Sequence, residues 1–247
     1  MNLLNRKRMG FLSNQALHAL GALLLLAGAV GGMIQTRILD VGGISNTELL
    51  QNMQEDPTVM GLATVALVCQ LLEVCAVPIF SFLLVEGAAH TARFGRYFLR
   101  VAGLAVLCQL LWQGSLNIVF GPVLGLVMLW FFRRYAAKTL SNRIIRTLAV
   151  IGTLLWSILL GVEHGAAFLI LTAVQWGLRK KSWFRAFGAF LAAMLCGVLS
   201  PVYLAASLAS LVLYFYDEER GGGVMFINYA AYPVILLVCR VLESYAV

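Results

Sequence analysis

The stretch that decides the fold is residues 58–85, TVMGLATVALVCQLLEVCAVPIFSFLLV, which holds a single charged residue, Glu73. As an α-helix it would run for ~40 Å, while about 20 predominantly apolar residues already cross a hydrocarbon core of ~30 Å. The run is too long and too apolar for the core helix of a soluble domain. The rest of the chain agrees with it. Of its 247 residues, 61% are hydrophobic and only 12% charged, and the mean hydropathy is +0.89. Soluble domains carry roughly 25% charged residues, so this chain lacks the polar surface to face water on all sides.

Further apolar segments read as 14–34, 97–113, 116–132, 144–161, 165–178, 184–200, 201–216 and 227–242. None shows the alternating ten-residue signature of a barrel, and in lipid an unpaired backbone leaves only helices as the alternative. The expectation is an all-α, polytopic transmembrane helix bundle of about nine spans, forming one domain over residues 1–247. Pro201 leaves open whether its two flanking segments are one broken helix. Arg6-Lys7-Arg8, the apolar run 17–26 and Ala27-Gly28-Ala29 have the order of a signal peptide; a retained first helix accounts for them too, since the apolar stretch continues to Ile34.

Charge gives the orientation. With the N-terminus in the cytoplasm, every lysine and arginine except Arg37 and Arg240 falls at the cytoplasmic side, as the positive-inside rule requires. The net charge of +7 is therefore spent on topology, and no nucleic-acid partner is implied; the lipid bilayer is the implied environment. Residues 35–57, with Asp40, Glu48, Glu55 and Asp56, form an extracytoplasmic loop holding one surface helix over 47–53, capped by Asn46 or Thr47. Gly221-Gly222-Gly223 reads as a flexible cytoplasmic link. Five cysteines lie inside apolar runs without a CxxC pair, so neither a disulfide framework nor a metal site is indicated. Walker, dinucleotide, HExxH and GxSxG motifs are absent.

Ionisable residues inside apolar runs are costly and therefore informative. Glu73, with Gln70 one turn earlier, is an intramembrane polar site with two readings: a proton or substrate site, or a hydrogen-bonded structural glutamate. Glu86 and His90 are four residues apart, on one face if the helix continues, where a carboxylate orienting an imidazole makes a general base. Arg93, Arg96, Arg100, Arg133 and Arg134 share one membrane face and suit phosphates by their fork geometry, though topology alone also explains them. Glu163-His164-Gly165 lies at the other face, either a catalytic pair or a polar turn.

Val77-Pro78-Ile79-Phe80-Ser81-Phe82-Leu83-Leu84-Val85-Glu86-Gly87 followed by His90-Thr91 resembles the central motif of the TraX family of bacterial membrane proteins, FPIFxFLLVEGxxHT. Further blocks follow in order. Arg96-Tyr97-Phe98-Leu99-Arg100 resembles KYLLRL, Asn117-Ile118-Val119-Phe120 resembles the start of NVxFTLxLGL, and Tyr229 to Leu236 resembles FYxxYPxHL. His164-Gly165 stands where the family shows YG. The family is named for a conjugation protein that acetylates the N-terminus of pilin. The resemblance implies acyl transfer from acetyl-CoA to a protein N-terminus, peptide or envelope component at the bacterial cytoplasmic membrane. It nominates Glu86 and His90 for catalysis and Arg100 and Asn117 for the cofactor, since these match the family blocks residue by residue; Glu163 and His164 remain a second candidate pair, and Arg93 and Arg96 further cofactor candidates, by their positions in the sequence. Two departures stand against it. The family's first-span Asp-His block is Leu23 to Gly32 here, without acid or histidine, and Ile235 replaces the last-helix histidine. The alternative is a relative without catalysis, acting as a membrane scaffold, partner subunit or permease component.

Overall fold

The computed structural model describes residues 12–39, 45–111, 116–179, 182–216 and 225–245. Within them the protein is all-α: α1 (Asn14–Met33), a π-helical turn (Ile34–Ile38), α2 (Asn46–Glu55), α3 (Pro57–His90), α4 (Phe94–Leu111), α5 (Phe120–Arg134), α6 (Leu140–Leu159), α7 (Gly165–Leu178), α8 (Ser182–Cys196), α9 (Tyr203–Val212, extended by a 3₁₀ turn over Leu213–Phe215) and α10 (Met225–Tyr245). The glycine run 221–223 lies outside the described residues, as do Arg6, Lys7 and Arg8. Helix boundaries follow local chemistry. The Ser13 hydroxyl accepts from the Ala16 N–H to open α1. α3 begins with Pro57 at its first position, and the Asp56 carboxylate accepts from Thr58 N–H at 2.7 Å. The surface helix α2 is capped by Ser45, one residue before the expected Asn46. Ser45 and Glu48 exchange side-chain and backbone hydrogen bonds as a capping box, which satisfies the backbone N–H groups of both residues.

α3 is the axis of the bundle, packed by α1, α5, α7 and α9. α1 lies closest, because glycines face α3. A Cβ on Gly31 would stand 2.6 Å from the Cys69 Cβ, and one on Gly28 would stand 2.4 Å from the Glu73 carboxyl carbon. Small residues of this kind let helix backbones approach where no hydrophobic force drives association. Between its ends, α3 is tied to α7 by Gln175, fully buried, whose amide donates to the Pro78 carbonyl at 3.1 Å and to the Ser81 hydroxyl at 2.9 Å.

The outer surface has the polarity of a protein solvated by lipid. On α6 the buried residues are Thr153 and Ser157, while Leu148, Ile151, Leu155, Trp156, Ile158 and Leu159 are exposed. That is the reverse of a water-soluble helix, and an exposed apolar face of this extent marks contact with membrane or partner. Among the described residues, four helices are long and apolar enough to cross a bilayer: Asn14–Thr36, Pro57–His90, Phe94–Leu111 and Leu140–Leu159. Gly165–Leu178, Phe184–Cys196, Tyr203–Phe215 and Ala231–Val241 are shorter apolar helices.

Candidate functional site

Two polar clusters lie along α3, one at its C-terminal end and one at its midpoint, around Glu73. The first is at the arginine-rich end, where short connections gather the ends of α3, α4, α5, α6, α7 and α8. α3 continues past residue 85 to His90, so Glu86 and His90 share a helical face as their spacing predicted. His90 Nδ1 lies 3.0 Å from the Glu86 carbonyl and 3.3 Å from its carboxylate Oε2. With the proton on Nδ1, the ring donates to these oxygens and Nε2 is the basic nitrogen. The His90 side chain is 67% exposed. The other carboxylate oxygen, Oε1, pairs with Arg185 of α8, whose guanidinium carbon sits 3.9 Å above the Phe82 ring. Arg185 is buried; an ion pair and an aromatic face together accommodate its charge.

Beside this pair is an open recess of about 270 Å³ lined by Ala89, Phe132, Arg133, Ala136, Trp176 and Arg179. Arg133 is anchored by donating to the Ala88 carbonyl at 2.7 Å and lies over Phe94; Arg179 lies 3.9 Å over Trp176. Arg93, Arg96 and Arg100 are exposed and none of them lines this recess. Asn117 is not brought to the arginines at all. It is fully buried at the opposite end, where its amide donates to the Ala105 carbonyl and Gln109 and its carbonyl oxygen accepts from Val119 N–H. Its groups are used in shaping the α4–α5 connection.

The second cluster is built by the α6–α7 loop. α6 ends in a Schellman motif: Gly161 takes φ 60, Gly161 N–H reaches the Ile158 carbonyl, and Val162 N–H reaches that of Ser157, satisfying carbonyls left over at the helix end. Glu163 N–H donates to the Leu116 carbonyl at 3.1 Å. His164 then adopts φ 53, a left-handed conformation uncommon for a residue with a side chain, and α7 starts. This double turn points Glu163 and His164 back at α3. The ligand atoms of Glu73, Glu163 and His164 all lie within 4.8 Å of one another. The Tyr203 hydroxyl of α9 is hydrogen-bonded to His164 Nδ1 at 2.8 Å. Burial holds the Glu163 carboxyl above the ordinary carboxylate range and lowers the basicity of His164. One turn along α3, Gln70 donates to Gln35 of the π-helical turn at 3.0 Å.

Sequence reading treated Glu73 and the Glu163-His164 pair as separate features; the fold unites them. It missed Arg179, Arg185 and Tyr203. Arg185 carried one signal, its position inside an apolar helix instead of in the preceding basic run, whereas nothing distinguished Tyr203 from other tyrosines near helix ends.

An apolar exterior around charged and hydrogen-bonded interior clusters defines this molecule as a helical membrane protein. The family model described as TraX protein matches residues 49–243, and the chain belongs to that family. No curated protein and no solved structure matches it.

Proposed function

We propose that the chain is a multi-pass protein of the bacterial cytoplasmic membrane, crossing it about nine times with the N-terminus inside. In this reading it transfers an acyl group, acetyl in the first instance, from acyl-CoA to an amine or hydroxyl of a protein N-terminus or envelope component. The observation that carries the reading is the Glu86–His90 contact at 3.3 Å, set beside a recess flanked by Arg133 and Arg179. The Glu86 carboxylate fixes the imidazole tautomer; His90 Nε2 takes the proton that the acceptor loses as it attacks the thioester carbonyl, and returns it to the coenzyme A thiolate that leaves as the C–S bond breaks. Arg185 keeps Glu86 in place by the pairing described above. Arg133 and Arg179 supply forked donors for the phosphates of coenzyme A, and Trp176 and Phe132 supply flat apolar walls. Acyl-CoA itself brings the activated thioester. Arg93, Arg96 and Arg100 add a positive field at the entrance.

The test is equilibrium binding of acetyl-CoA to the full chain in detergent. The wild type binds, and the double variant Arg133→Ala/Arg179→Ala binds at least about tenfold more weakly. His90→Ala retains binding but loses transfer by roughly 100-fold or more, the scale of a missing general base. If the wild type does not bind acetyl-CoA, the enzymatic reading fails and the noncatalytic scaffold takes its place.

A further inference from the structure

We propose that Glu73, Glu163 and His164 form a binding site for a divalent transition-metal ion of the zinc class. The site lies at the midpoint of α3, ~20 Å along the helix from Glu86, and is independent of the acyl-transfer groups. Its case begins with charge. Two carboxylates and an imidazole offer ligand atoms within 4.8 Å of one another, and among the described residues neither Glu73 nor Glu163 has a lysine or arginine in an ion pair. Oε2 of Glu163 is buried without a hydrogen-bond partner. A buried carboxylate oxygen left unpartnered costs desolvation energy that nothing in the protein returns. A divalent ion offsets the two negative charges and supplies the missing partner.

The donor set selects the ion. Mixed imidazole and carboxylate ligands suit zinc and its first-row neighbours. Calcium prefers six to eight oxygens, more than this set provides. A tetrahedral zinc with bonds of ~2.0–2.2 Å sets its ligand atoms about 3.4 Å apart, so the three groups need to close by little more than an ångström. Three protein ligands leave a fourth position open, the arrangement found where zinc also holds water or substrate.

Two supporting features are built into the fold. The Tyr203 hydroxyl holds His164 Nδ1 at 2.8 Å, which orients the ring and leaves Nε2 for a metal. His164 itself is kept in a left-handed conformation, a backbone cost that persists only where the surroundings impose it; here the α6 terminus and the Glu163–Leu116 hydrogen bond do so. On the other side, Gly28 leaves the space that Glu73 occupies, since a Cβ there would meet its carboxyl group at 2.4 Å. Gln70 and Gln35, hydrogen-bonded to each other, continue the polar surface from Glu73 toward the end of α3.

The experiment uses the full chain purified in detergent without a histidine tag, stripped with chelator and titrated with zinc, then with cobalt as a spectroscopic probe. The expected result is one tight zinc per chain and a visible cobalt absorption of nitrogen–oxygen ligation. Glu163→Gln and His164→Gln weaken zinc binding by roughly 100-fold, and Tyr203→Phe by about tenfold, the range for altering a ligand's support. His90→Ala leaves zinc binding unchanged, so loss of metal and loss of acyl transfer are separable. The cobalt spectrum of the wild type tests the site even if a variant fails to fold. Absence of a stoichiometric metal in the wild type overturns the proposal, as does equal binding by Glu163→Gln and His164→Gln. In the first case the two carboxylates share a proton instead; in the second the metal binds elsewhere.

Discussion

The two polar clusters along α3 use the same residue types to opposite effect. At the arginine-rich end, Glu86 meets a guanidinium on one oxygen and an exposed histidine on the other, so its charge is compensated from within the protein. Halfway along the helix, Glu73 faces a second carboxylate and a histidine held by a tyrosine, with no cation from the described residues. A glutamate–histidine pair is therefore not one kind of site. Whether it acts as a proton-transfer dyad or a ligand set depends on whether a neighbour brings positive charge.

The largest effect falls on the compensated cluster. Arg185 is almost wholly buried, with its side chain 6% exposed, and Glu86 is 15% exposed. Arg185→Met removes the cation and strands the carboxylate, which in buried pairs costs roughly 3–5 kcal/mol. The Glu86→Gln/Arg185→Met double variant removes both charges and should recover most of that stability. Thermal unfolding in detergent reads the difference. If the single variant is as stable as the wild type, Glu86 is already compensated by something other than Arg185, and the contrast between the two clusters collapses.

A smaller effect separates positions on one face of α1. Gly28→Ala places a methyl where the Glu73 carboxyl group sits, so either Glu73 or the α1–α3 spacing must give; overpacking of this kind costs about 1–3 kcal/mol. Gly32→Ala, four residues on, meets nothing within 4 Å and should be neutral or slightly stabilising through helix propensity. Unfolding midpoints for the two variants provide the test. Equal midpoints would mean that α1 and Glu73 are not in the close contact on which the enclosed cluster depends.

How much of this was legible in the sequence differs between the two clusters for a physical reason. The Glu86–His90 contact is local: four residues of helix fix it, and the periodicity of α3 announced it. The helical fold and the family were legible too, because apolar runs and the VPIFSFLLVEG block need no tertiary information. The union of Glu73 with Glu163 and His164 was not, since it depends on α3 and α7 packing side by side and on a loop with two left-handed residues. Asn117 shows the reverse case. Its block resembles the family's, yet its side chain is consumed in holding the α4–α5 connection, a use that a motif cannot distinguish from binding. Of the recess arginines, Arg133 was among the five that the sequence offered for phosphates, whereas Arg179 was hidden among basic residues that topology already required.

The smallest effect concerns a carboxylate that belongs to neither cluster, and it isolates what hydrogen bonds alone do to one. Glu48 accepts from the Ser45 backbone N–H at 2.8 Å and from its hydroxyl at 2.9 Å, with no cation required. These bonds favour the charged form and hold its pKa below the ordinary glutamate value. A lowered folded pKa means that the group's contribution to α2 is fully present above the unfolded pKa. It is lost as pH falls through the folded value, when protonation removes the acceptor. Hydrogen exchange at the α2 amides should therefore report loosening of the helix start in mild acid, beginning below pH ~4.5, while the Glu48→Gln variant should show weaker protection and no such pH dependence. Protection that is unchanged by Glu48→Gln would mean that Ser45 alone caps α2. In that case hydrogen bonding without a counter-charge is too weak to organise even an exposed carboxylate, and the need for a cation between the enclosed Glu73 and Glu163 becomes the stronger for it.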